Sequence, residues 1–290
     1  KLLNAENPKP ELAGVRVVAA FPGGSPDIPS SRDRVKGYTE ELRDKYGIAI
    51  VDSIDELIAR VDVVLLESVD GRPHLEQVRP VFAAKKPVFI DKPVAGTLAD
   101  ALAIFELARE SHTPCFSSSS LRFGPGVSAR AQKDKIGEVV GCDVYGPCAL
   151  EEHHPDLFWY GVHGVETLFT ILGTDCESVS RTQTDSSELV TGVWSGGRVG
   201  TFRGMRKGPY KYGGTVFGTK GIAPIGDYGG YEPLVVEIVK FFKTGKPPVS
   251  ADETIAIFAF MEAADQSKRQ GGKPVTISSV KSAAKGTLAR

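Results

Sequence analysis

Apolar residues come in short runs through the first 120 positions, with charged, helix-like stretches between them. The runs 15–21, 48–51, 61–66, 87–90 and 114–116 are short and bounded by turn residues, so they predict buried strands. Residues 32–46, a stretch capped by Ser53, residues 74–84 and a stretch capped by Thr97 predict the helices between them. Ser53 has Glu56 three residues on, a capping box. Leu98, Leu102 and Phe105 fall on one face of the helix after Thr97. Strands alternating with amphipathic helices imply βαβ units and a parallel sheet covered on both faces. Crossovers of this kind are right-handed, which makes a doubly wound α/β sheet.

The rhythm then changes. A helix around 127–135, a strand within 137–150 and a helix over 161–172 precede short segments rich in β-branched residues and glycine. Those at 187–194, 198–205 and 212–217 predict an antiparallel sheet, hence an α+β second half. A helix follows at 233–242. Ser250 and Glu253 open the last long helix as a capping box, and Gly271-Gly272 end it. The expected domains are 1–120 and 121–290, with the boundary near 118–126.

Composition narrows the function classes. The chain has 290 residues, 41% hydrophobic and 24% charged, too apolar for disorder. Its net charge of -1 argues against a nucleic-acid binder or a binder of acidic membranes. No run of roughly 18 apolar residues offers a membrane span. Cys115, Cys142, Cys148 and Cys176 show no C-x-x-C spacing and no zinc-type spacing to histidine. Free buried thiols are expected, which fits a reducing compartment and a cytoplasmic location. The chain opens at Lys1 in what reads as a helix end running into the turn at Pro8. That start suggests a preceding segment, which would also carry any export signal.

In a doubly wound sheet, ligands bind beyond the carboxyl ends of the strands. The residues there are Pro22-Gly23-Gly24-Ser25, then Glu67-Ser68, then Asp91-Lys92-Pro93, then Ser117-Ser118-Ser119-Ser120. No G-x-G-x-x-G occurs, and the Gly23-Gly24 turn has the wrong spacing to cradle a pyrophosphate. Ser25, Ser30, Ser31 and Arg32 offer hydroxyls and a cation suited to a 2′-phosphate. Lys92, at a strand's carboxyl end, suits a reacting hydroxyl or carbonyl, the bland alternative being a surface lysine in a turn. Pro93 stiffens that turn and admits a cis bond.

Residues 151–166 hold three of the five histidines: His153, His154 and His163. Glu166 lies one helical turn after His163 and is placed to orient it and raise its basicity, making an acid/base. Two other readings stay open: a metal site from His153, His154, His163 and Glu166, and a satisfied buried histidine beside a helix cap. Arg206, Lys207 and Lys211 offer cations to an anionic substrate or simply solvate a strand edge, the second being the favoured reading.

The order of 61–66, then Lys86-Pro87-Val88-Phe89-Ile90-Asp91-Lys92-Pro93-Val94-Ala95, then Leu121-Arg122-Phe123-Gly124-Pro125 resembles the glucose–fructose oxidoreductase / inositol dehydrogenase / rhizopine-catabolism (Gfo/Idh/MocA) family. Gly161-Val162-His163-Gly164-Val165-Glu166 is similar to that family's Gly-x-His-x-x-Asp helix start. Phe217-Gly218-Thr219-Lys220-Gly221 and the last helix, with Ala263, Ala264 and Ser267, extend the likeness over roughly 15–277.

The resemblance implies a Rossmann domain followed by an open antiparallel-sheet domain. It implies NAD or NADP as cofactor, and hydride transfer at a carbinol carbon of a sugar or polyol. It casts Lys92 as catalytic lysine and His163 as acid/base. Arg122, His153, Trp159, Tyr160 and Glu166 would contact the carbohydrate. Ser25, Arg32, Glu67, Ser68, Asp91 and Lys92 would contact the cofactor. It further implies a homo-oligomer through the C-terminal sheet, and a first strand and phosphate turn lying before Val15. Two residues depart from the pattern. Asp91 replaces a Glu, and Trp159 stands where an Asp precedes the histidine by four, leaving Tyr160 or His153 to relay the proton. The alternatives are a non-catalytic nucleotide sensor on this fold and a metal-dependent hydrolase built on the histidines.

Overall fold

The computed structural model describes residues 1–127 and 135–288. The helix expected at 127–135 therefore lies almost wholly outside the described residues. The chain divides into two compact units. The first comprises Lys1–Gly96, Ala103–Ser117 and Tyr231–Ser250; the second comprises Thr97–Leu102, Ser118–Gly230 and Ala251–Arg290.

The first unit holds two small parallel sheets. In one, β1 (Ala19–Ala20) pairs with β2 (Ala49–Ile50). In the other, β3 (Val64–Leu66), β4 (Val88–Ile90) and β5 (Cys115–Ser117) run in the order β3-β4-β5. The apolar run 15–21 becomes a strand only where β2 supplies a partner, because a strand needs a ladder to form. Helices connect the strands: α1 (Pro29–Glu40), α2 (Ile54–Ile58), α3 (His74–Ala83) and α4 (Leu98–Glu110). The Ser53 hydroxyl accepts from the Glu56 amide at 3.1 Å, and the Glu56 carboxylate reaches back to the Asp52 amide at 3.2 Å. Thr97 accepts from the Asp100 amide at 3.0 Å. β4 is wholly buried, as expected for a strand covered on both faces. Phe116 of β5 packs edge-on against Phe241 of α7 (Glu232–Thr244), their centroids 5.0 Å apart, so this late helix joins the first unit.

The second unit is a seven-stranded sheet in the order β11-β10-β6-β9-β8-β7-β12. Its strands are β6 (Val139–Pro147), β7 (Cys176–Gln183), β8 (Ser187–Trp194), β9 (Arg198–Met205), β10 (Gly213–Gly218), β11 (Ile222–Pro224) and β12 (Val275–Thr276). The sheet is antiparallel except at one pair. β7, β8 and β9 form consecutive hairpins, and the last of them lands beside β6 running the same way, so β6 and β9 pair in parallel. One face of the sheet carries α6 (Val162–Leu172) and α8 (Ala251–Arg269), after the short α5 (Asp156–Trp159); α9 (Ile277–Leu288) ends the chain. Gly164 lets α6 lie close to the sheet, because a Cβ there would stand 2.1 Å from the Phe202 ring. Gly271 and Gly272, with φ of 71° and 90°, end α8.

Candidate functional site

In the first unit, the carboxyl ends of β3 and β4 are bound together. The Asp91 amide donates to the Leu66 carbonyl at 2.8 Å. Gly71 has no side chain because a Cβ would stand 2.6 Å from the Ala95 carbonyl oxygen. Buried His74 joins the two turns, with Nε2 2.9 Å from the Ser68 carbonyl and Nδ1 3.2 Å from the Val94 carbonyl. Burial pushes its pKa down to about 4, against the raising pull of those carbonyls and of Asp70, so the ring is neutral at neutral pH. Sequence reasoning missed this residue. Its signal was a histidine opening a helix two turns from a strand end, which has no diagnostic spacing.

Lys92 follows directly, half-buried, with a cis Lys92–Pro93 peptide. Glu67, at the end of β3, is crowded by protein although its cleft admits solvent. Close packing of protein atoms around the carboxyl first, then the charge of Asp91, pushes its pKa up, while Lys92 pulls the other way; the side chain is nonetheless exposed to the cleft. Glu67, Asp91 and Lys92 thus form one charge-coupled group. Ser68 donates to Gln77 at 3.0 Å.

The remaining cofactor candidates are placed differently. Ser25 is buried, its hydroxyl on Asp70 and its amide on the Ser31 hydroxyl at 2.9 Å. Arg32 pairs with its neighbour Asp33 at the surface. A cleft of about 1150 Å³ opens between β1 and β3, and Ser30, Ser31, Arg34, Tyr38 and Thr39 of α1 are among the residues lining it.

In the second unit, His163 opens α6 and is largely buried. Its Nδ1 lies 2.7 Å from the Ser119 hydroxyl, and Tyr160 and Tyr212 stand edge-on to the ring at 5.2 and 6.0 Å. The expectation that Glu166 orients His163 directly is corrected. Glu166 instead accepts from the Ser118 hydroxyl and the Ser119 amide, each at 2.7 Å, and from Arg122 Nε at 2.8 Å. One turn of helix separates His163 and Glu166, and the serine loop fills the space between them. Ser119 is therefore the link from the Glu166 carboxylate to the imidazole. The serine run was visible in the sequence, but nothing in its spacing showed which serine would reach the helix.

Arg122 is held between Glu166 and Glu253, the latter at 2.5 Å, so it forms a layer behind His163. Tyr160 is half-buried. Trp159 is buried against His154, with centroids 5.2 Å apart. His153 is exposed, 3.7 Å from Glu151. No group of three His, Cys, Asp or Glu among the described residues is placed to hold a metal. The hydrolase alternative therefore has no support. The four cysteines are free and buried.

Residues 32–118 match the family model described as oxidoreductase family, NAD-binding Rossmann fold (GFO_IDH_MocA). No curated protein matches the chain in sequence. Similar solved structures include one described as a probable dehydrogenase from Thermotoga maritima. It is 22% identical with a TM-score of 0.72, over 84% of this chain and 90% of that one. An oxidoreductase from Agrobacterium radiobacter, solved with NAD+, L-tartaric acid and magnesium, is 17% identical with a TM-score of 0.72, over 85% and 90%. A scyllo-inositol dehydrogenase from Lactobacillus casei is 13% identical with a TM-score of 0.74, over 91% and 90%. At these identities the likeness shows the fold.

The first unit fits a dinucleotide in part. Glu67, Ser68, Asp91 and Lys92 provide polar groups at the strand ends. The turn after β1 closes on itself instead: a Cβ on Gly24 would meet the Ser31 hydroxyl at 2.9 Å, and Ser31 already bonds the Ser25 amide. The described residues thus supply polar groups at the strand ends and no cradle for a pyrophosphate.

Proposed function

From the match of residues 32–118 to the family model of NAD-binding Rossmann oxidoreductases (GFO_IDH_MocA), we propose that this chain is a dehydrogenase acting on a carbinol carbon of a sugar or polyol. The observation that carries the reading is His163, set at the start of α6 and held at Nδ1 by Ser119, which is itself tied to the Glu166 carboxylate. A ring fixed in this way is suited to remove or return a hydroxyl proton. The cofactor, when bound, supplies or accepts the hydride. Lys92 donates a hydrogen bond to a substrate oxygen and stabilises the charge that develops there. Glu67, Ser68 and Asp91 hold the cofactor's ribose side, while Tyr160 and Trp159 shape the sugar site. Arg122 and Glu166 support His163 from behind.

The test is nicotinamide absorbance with NAD+ and NADP+ against a panel of polyols and sugars. His163→Asn and Lys92→Met should each lower kcat by roughly 10²–10⁴-fold without loss of fold. Turnover unchanged in both variants would remove these roles, and no turnover with any panel member would favour a nucleotide sensor.

The second unit adds a self-association surface. Val193 and Val199 face each other across β8 and β9 and are both exposed, as are Val140, Tyr145 and Ile222 on the strands nearby. A sheet face of this kind suits a second copy of the chain. No helix among the described residues is long and apolar enough to cross a membrane. The free thiols fit a cytoplasmic location.

A further inference from the structure

In the second unit, residues 225–230 leave β11 as a strap without helix or strand, and the strap returns to the turn that holds His163. Its start is fixed, because the Ile225 amide donates to the Gly214 carbonyl of β10 at 2.9 Å. Gly226 then rests on the turn ending at Pro125, where a Cβ would stand 2.4 Å from the Pro125 carbonyl oxygen. At the far end, Gly230 has a φ of 79° and open space around it, a backbone position that glycine adopts without strain. Between these ends, Gly226, Asp227, Tyr228 and Gly229 are exposed.

Tyr228 ties the strap to the surroundings of His163 twice over. Its hydroxyl lies 2.9 Å from the hydroxyl of buried Ser120, and its ring centroid lies 6.2 Å from that of Tyr212. Ser120 follows Ser119, which holds the imidazole, and it opens the short turn (Ser120–Phe123) that presents Arg122 to Glu166. Tyr212 stands edge-on to the imidazole at 6.0 Å. Its ring lies over Gly146 of β6, where a Cβ would meet it at 2.9 Å, so Tyr212 is seated on the sheet and Tyr228 comes to it from the strap. The circuit His163, Ser119, Ser120, Tyr228, Tyr212 therefore closes through one residue of an exposed segment. With Tyr228 40% exposed, little apolar burial holds it down, and the hydroxyl pair decides its position. Breaking that pair exchanges one hydrogen bond for bonds to water, which is far easier than unfolding.

We propose that residues 225–230 are a lid over His163, latched by the Tyr228–Ser120 hydroxyl pair and lifted to admit a substrate. With the latch closed, Tyr228 covers the ring and keeps water from it, and the Ser120 turn is held in the register that brings Ser119 to Nδ1. With the latch open, the imidazole is reached from solvent. The purpose given to the lid rests on the reading of His163 as the group that handles the substrate proton. The motion itself is tested without substrate or cofactor.

The experiment is diethyl pyrocarbonate labelling of the 290-residue chain, with the rate at each histidine read by mass spectrometry. Exposed His153 and buried His74 serve as internal references. Tyr228→Phe and Ser120→Ala each delete the latch while keeping the ring or the backbone in place. Each should raise the labelling rate of His163 by about fivefold or more, with His153 and His74 unchanged. The double variant should label no faster than the faster single one, because both changes remove the same bond. Gly226→Ala should also speed labelling, since its Cβ pushes the strap off Pro125. An unchanged His163 rate in both single variants overturns the proposal. So do effects that multiply in the double variant, which would mean two unrelated changes, and so does a parallel rise at His74, which would mean general loosening. Turnover is measured separately. A chain without turnover that still shows the His163 response keeps the lid and loses the dehydrogenase reading; an active chain with unchanged labelling does the reverse.

Discussion

The Ser119 hydroxyl stands 2.7 Å from His163 Nδ1, while the amide of the same residue donates to Glu166 at 2.7 Å. A single loop residue thereby couples the imidazole to a buried carboxylate. Ser119→Ala keeps the backbone bond to Glu166 and deletes the bond to the ring together with the 3.2 Å bond that the hydroxyl accepts from the Leu121 amide. The expected outcome is a fall in kcat of about tenfold or more with KM little changed, since ring orientation matters most in the transition state. Ser119→Thr, which retains the hydroxyl, should recover much of the rate. Steady-state kinetics on the three proteins decides it; a change in KM alone would assign Ser119 to substrate contact.

Arg122 lies between Glu166 and Glu253 with about a tenth of its side chain exposed. Arg122→Met leaves two carboxylates facing each other with little solvent. Removing one partner of a buried ion pair costs about 3–5 kcal/mol. Urea unfolding should show a loss of that order, and adding Glu166→Gln and Glu253→Gln to Arg122→Met should recover part of it. Full stability in the single variant would mean that solvent reaches this layer.

His74 makes stability depend on pH. Its folded pKa is depressed to about 4, below the ordinary value of 6.5, because burial disfavours the charged ring. The unfolded chain therefore takes up the proton first. The stability His74 contributes is complete above about pH 6.5 and is lost as pH falls toward 4, with a slope of up to about 1.4 kcal/mol per pH unit. His74→Asn, compared with the parent by denaturant unfolding at pH 7, 5.5 and 4.5, should be less stable at pH 7 and show a shallower fall. Parallel curves would place the acid sensitivity elsewhere.

Local signals were legible where local physics decides. Ser53 and Thr97 cap the helices they precede. The hairpin strands β8 and β9 run over the segments that their β-branched residues mark, with one face buried and one not. What the sequence hid depends on distant partners. The run 15–21 has the composition of a full strand, yet only Ala19 and Ala20 find a ladder. β6 and β9 pair in parallel although more than fifty residues separate them. Phe241 packs on Phe116 across more than twice that gap in sequence, taking its helix into the first unit. At the site, Lys92 and His163 stood out by their residue types. Ser119 and His74 did not, since their roles come from loops that meet only in three dimensions.

The exposed sheet face gives the last prediction. Val193 and Val199 are register partners on β8 and β9, 37% and 44% exposed, with their side chains on the face opposite the buried Trp194 and Phe202. If a second copy covers this face, Val193→Asp with Val199→Asp places four carboxylates at the contact of a symmetric pair, and like charges across an interface cost several kcal/mol. Light scattering should then show the parent as an oligomer and the double variant as a monomer. Within one chain the change is less severe, because both side chains already meet solvent, although two adjacent carboxylates will weaken the ladder slightly. A modest drop in thermal midpoint with a halved mass is therefore the expected pair of results. An unchanged mass accompanied by the same drop in midpoint would show that this face does not carry the association.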